Sequence, residues 1–248
     1  MSSSGATENI QKAVQSHNFA EKSVCFIGNL SKEAILKASL NMYGCCAYGV
    51  TLKQSGRGLI DLITEEKLDK ESILRILIQE AKDAVIEQKS RAVALALFGY
   101  EKHYDVIKDI VSVDILRPSS ALPSLFNTQE RSIGLIGTSF DLNRGFWDKF
   151  SREHDIRIVL PEESEIAEFD VALRNCIQLK GRSVSDLEQL CSKQVKNMLG
   201  RPNPPDQVLL CNLESHQALK RIRCEHHGTK IHNISNVLWR LVMNFSPS

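Results

Sequence analysis

The chain has 248 residues, 42% hydrophobic and 25% charged, the composition of a folded globular protein with room for one large domain or two of about 100 residues each. Its 31 Lys and Arg against 30 Asp and Glu leave a formal charge of +1, so nothing in the charge balance calls for nucleic acid or an anionic membrane as partner. Seven cysteines without a CxxC pair, and a polar opening MSSSGATENIQ with no apolar run, predict a cytoplasmic protein in a reduced compartment with no membrane partner.

In chain order, KSVCFIG at residues 22–28 predicts a short strand ended by glycine. Ser31 then caps a predicted helix over residues 31–42, whose apolar face carries Ala34, Ile35, Ala38 and Met42. CCAYGVTL, residues 45–52, predicts a second strand, and SGRG at 55–58 a loop. Helical spacing follows through residues 59–88, with Ile73, Leu74, Leu77, Ile78 and Ala81 on one side. AVALALF, residues 92–98, is apolar throughout, as a strand covered on both faces must be. A helix over 104–110 and the prolines Pro118 and Pro123 lead to a domain boundary expected within residues 112–128.

The pattern then starts again. Ser132 to Ile136 predicts a strand ended by Gly137, residues 143–154 a helix, and residues 156–160 a strand closed by Pro161. Helices are expected over 164–178 and from Ser183, where Ser183 and Asp186 have the form of a capping box, to Leu199. RPNPP precedes an apolar strand at 206–211 that ends on Cys211, and residues 214–222 and 234–243 predict helices separated by the polar EHHGTKIHN.

Strands and helices alternating at this spacing predict an α/β fold with mainly parallel sheets, in two similar three-layer units. Such sheets take ligands beyond the carboxyl ends of their strands. That rule singles out Gly28 and Asn29, the loop after Phe98, Gly137 with Thr138 and Ser139, and Cys211 with Asn212. GLIGTS lacks the spacing of GxGxxG, and no GxxxxGK[ST] occurs, so no nucleotide cofactor is expected.

SIGLIGTSFDLNRGFWDKFSREHDIRIVLPEE, residues 132–163, resembles the strand, GT turn, helix and Pro-acidic step of the aspartate/glutamate racemase superfamily. GNLSKEA at 28–34 resembles the aspartate racemase opening GGMSPEA. VLLCNL at 208–213 resembles the LGCTE segment that carries one of that family's two catalytic cysteines, with Cys211 in the matching place and Asn212 replacing threonine. The other family cysteine belongs to CNTxH; this chain reads GYEKH, with His103 matching the histidine and Gly99 standing where the thiol would be.

The resemblance implies two domains facing an inter-domain cleft, residues 1–115 with 220–248 in the first and 116–219 in the second, and a cofactor-free racemase or isomerase acting on a small amino or carboxylic acid, in a homodimer. Such chemistry needs a base on one face of the α-carbon, an acid on the other and donors around the carboxylate. Cys211 is the candidate acid or base, and Asn29, Gly137, Thr138, Ser139 and Asn212 are candidate carboxylate contacts. Glycine holds no proton. Its place could be taken by Tyr100, Glu101 or His103, or by Cys45 or Cys46; alternatively the protein is a one-cysteine lyase or isomerase, or an inactive racemase-fold binding or interaction protein. His103 could equally cap the following helix. No metal site is expected, because the adjacent His226 and His227 diverge and His232 completes no ligand set.

Overall fold

The computed structural model describes residues 23–27, 51–55, 70–87, 89–126, 130–178, 184–212, 215, 222 and 228–245. Four short strands form the first sheet: β1 (Ser23–Ile27), β2 (Thr51–Ser55), β3 (Ala92–Leu95) and β4 (Asp114–Leu116), in the order β2-β1-β3-β4, all parallel. The second sheet repeats the plan with β5 (Ser132–Ile136), β6 (Arg157–Val159), β7 (Gln207–Leu210) and β8 (Lys230–Asn233), in the order β6-β5-β7-β8, again parallel.

The two-residue period of a strand divides each sheet's side chains between two layers. In the first sheet Cys25, Ile27, Val93 and Leu95 face helix α1 (Lys70–Ile86) through Ile73, Leu77, Ala81 and Ala84. In the second, Ile136, Val208 and Leu210 face α4 (Glu163–Gln178) and α5 (Val184–Leu199) through Phe169, Leu173, Leu187, Cys191 and Val195. The alternate residues, Val24, Phe26, Ala92 and Ala94 of one sheet and Ile133, Leu135 and Leu209 of the other, share a single apolar cluster. Trp147 and Phe150 of α3 (Arg144–His154) and Val237, Leu238 and Leu241 of α6 (Ile234–Asn244) complete it. The two α/β units are therefore joined by a common core.

Side chains set the helix ends. Asn143 accepts the Phe146 N–H at 3.2 Å to cap α3, which stops at Asp155 in the left-handed conformation with φ of 51°. Asn233, the last residue of β8, caps α6 reciprocally with Asn236.

Several elements differ from the sequence expectation. The strand predicted over 92–98 stops at Leu95, and Phe98–His103 forms a 3-10 helix that leads into α2 (Tyr104–Ile110). A second 3-10 helix occupies Pro118–Leu125 within the expected boundary region. The polar stretch expected to separate the last two helices contains β8, which pairs with β7 and so extends the second sheet. The expected helix over 31–42, the loop glycines after Ser55, and Ser183 lie outside the described residues, as does most of the helix expected over 214–222.

Candidate functional site

The carboxyl ends of β3, β5 and β7 converge. After β5 the chain turns at Gly137 so closely to β7 that a Cβ placed there would lie 2.8 Å from the Cβ of Cys211, which is why a residue without a side chain is required. Thr138 then binds Asp141 twice: its hydroxyl donates to Oδ2 at 2.8 Å and accepts the Asp141 N–H at 3.2 Å. The Asp141 carbonyl accepts the Trp147 Nε1–H at 2.8 Å, so the turn is anchored to the buried indole of α3. Oδ1 of Asp141 faces the N–H of Gly99, in the first unit, at 3.5 Å. Only 3% of Asp141 is exposed.

Cys211 follows β7 and is wholly buried. Its N–H donates to the Ile136 carbonyl at 2.7 Å, and its Sγ lies 3.7 Å from the Leu209 carbonyl oxygen. Burial pushes its thiol well above the ordinary cysteine range and the Asp141 carboxylate adds to the rise, the bond from Ile136 opposing them only in part. A thiolate is thus disfavoured twice over, the reverse of what a proton-abstracting cysteine needs.

Gly99, the position matching the other family thiol, is buried against Phe140. A Cβ built on it would stand 2.2 Å from two carbons of the Phe140 ring and 2.7 Å from the Phe140 carbonyl oxygen. The ring is held in place edge-on to Tyr100, with centroids 5.4 Å apart, and beneath the Lys102 ammonium at 4.9 Å. The space that a side chain at 99 would use is aromatic.

The remaining candidates are bonded or buried within the protein. Both carboxylate oxygens of Glu101 are bound by Ser119, one by its N–H at 2.5 Å and one by its hydroxyl, which ties the two 3-10 helices together. Burial pushes the Glu101 carboxyl up to about 7 against the pull of the Ser119 hydrogen bonds and Arg117. His103 sits at the N-cap of α2 without a side-chain capping bond. Its Nε2 is buried with no hydrogen-bond partner among the described residues, and burial together with the Lys102 charge pushes the ring down to about 4, so it is a neutral imidazole at pH 7. Asn212 accepts the Ser215 N–H on Oδ1 at 3.0 Å, while its Nδ2 is buried without a partner among the described residues. The Ser139 N–H donates to Asp170 of α4 at 3.0 Å. The Tyr100 hydroxyl, also buried and without a hydrogen-bond partner among the described residues, is raised by burial above the ordinary phenol range.

The structure therefore brings Gly99, Gly137, Thr138 and Cys211 around Asp141, and sets Ser139, Glu101, His103 and Asn212 in other bonds or burial. Asn29, Cys45 and Cys46 lie outside the described residues. Sequence reasoning passed over Asp141 and Phe140. The signal available for Asp141 was the Thr-x-x-Asp spacing from Thr138, which is the spacing of a side-chain-bonded turn. Among the described residues no group of three metal-ligating side chains assembles, and no helix is long and apolar enough to cross a membrane.

No family model matches the chain, and no curated protein matches its sequence. Solved structures do match its fold. An aspartate racemase homologue from Pyrococcus horikoshii superposes with a TM-score of 0.64 at 15% identity, over 90% of this chain and 97% of that one. Picrophilus torridus aspartate racemase gives 0.62 at 13% identity, over 90% and 93% of the two chains. Glutamate racemase from Francisella tularensis, solved with D-glutamate, gives 0.64 at 12% identity, over 91% and 80%. At these identities the likeness shows the fold alone, a shared two-unit α/β architecture.

Proposed function

We propose that this protein keeps the racemase fold without two-base proton exchange and serves as a binding or interaction protein. The observation that carries the reading is the Phe140 ring, which occupies the space a side chain at position 99 would need. Two-base inversion at an α-carbon requires a proton carrier on each face. Glycine supplies none, and the thiol of Cys211 is buried and held in its neutral form. The same reading takes the protein as a cytoplasmic homodimer with no membrane or nucleic-acid partner, in keeping with its balanced charge.

A second reading, a racemase-like or one-cysteine reaction on a small carboxylic acid through Cys211, is favoured by the contact of Cys211 with the Gly137 turn. Incubation with aspartate and with glutamate in D2O, read by mass at the α-carbon, separates the two. We expect no deuterium above the enzyme-free control with either the wild type or C211A. Incorporation by the wild type that C211A loses would establish the enzymatic reading instead.

A further inference from the structure

We infer that Asp141 is a tethered ligand: the Gly99 N–H and the Thr138 hydroxyl form a small carboxylate site between the two sheets, which the chain fills with its own side chain. The inference rests on the proposed non-catalytic reading and extends it by naming what occupies the site.

Three observations support it. The Asp141 carboxylate is delivered from the second unit to a backbone donor of the first, the Gly99 N–H at 3.5 Å, so it spans the gap in which open parallel sheets take ligands. Its approach is fixed from both sides, by Thr138 on its own N–H and carboxylate and by the Trp147 indole on its carbonyl. It is enclosed, 3% exposed, among Gly137, Cys211 and Gly99. A carboxylate buried to this degree stays only where donors meet it, and its removal leaves those donors unsatisfied beside a new void.

Truncation at Cβ deletes one carboxyl group, which is the size of formate. In D141A, sodium formate is expected to raise Tm by a few degrees over equal concentrations of sodium chloride, saturably, as mass action gives at about ten times the Kd. The wild type, its site already filled, is expected to respond identically to the two salts. If D141A does not accumulate as folded protein, dilution from urea into formate is expected to restore native circular dichroism that chloride does not. Equal effects of formate and chloride on D141A, in Tm or in refolding yield, would overturn the inference. Deuterium exchange through Cys211 would remove the non-catalytic reading while leaving the formate result to stand or fall by itself, so the two failures are distinguishable.

Discussion

Replacing Trp147 with alanine is expected to lower stability by about 3–5 kcal/mol, the range for emptying the space of a large buried aromatic. Trp147 is wholly buried in the cluster shared by both sheets. Its ring packs on Phe98 of the first unit at 5.1 Å between centroids, and on Phe146 and Phe150 of its own helix at 4.9 and 5.7 Å. It also donates to the Asp141 carbonyl at 2.8 Å. W147F isolates that last contribution: it keeps an apolar ring but leaves the carbonyl without its donor, a loss of about 1–3 kcal/mol if nothing replaces it. Urea unfolding followed by circular dichroism measures both, with an unchanged slope showing that the midpoint shift reports stability. A loss below about 1 kcal/mol for W147A, no larger than an average substitution, would mean that the indole does not join the units.

The second large effect concerns Gly99. G99A is expected to cost about 1–3 kcal/mol through overpacking, because the new methyl group would stand 2.2 Å from the Phe140 ring. Removing the ring should relieve most of this. In the double variant G99A/F140A the two losses should fall short of additivity by about 1 kcal/mol or more, the size expected of side chains in direct contact. Relief should be incomplete, since the Phe140 carbonyl oxygen would remain 2.7 Å from the added carbon. Strict additivity would place Phe140 elsewhere and remove the main support for a filled second thiol position.

How far these features could be read from sequence depended on whether their cause was local. β5 and α3 were legible within a residue or so, because an apolar run, Gly137 and the cap Asn143 lie next to one another in the chain. The apolar run at 92–98 was read as one strand because periodicity does not separate Ala96 and Leu97 from the ladder that ends at Leu95. β8 escaped notice since only Ile231 in KIHN is an apolar core residue, and the buried Asn233 spends its side chain on the α6 cap and on the carbonyl of Asn212. β4, three residues long, carries too short a pattern to register.

The site was legible by type and less so by state. That Gly99 lacks a thiol is written in the sequence, but that Phe140 closes over it is a tertiary fact between segments remote in the chain. Cys211 at a strand end reads the same whether it faces solvent or the Gly137 turn. What decides its chemistry is complete burial beside Asp141, and no local pattern encodes that.

Alkylation of Cys211 by iodoacetamide, followed by peptide mass spectrometry across pH 6 to 9, tests the central claim most directly. A wholly buried thiol whose ionisation is suppressed should remain unmodified in the native protein over that range and react only when urea unfolds the chain. Modification within minutes at pH 7, rising along a titration below the ordinary thiol range, would reveal an accessible thiolate and contradict the account.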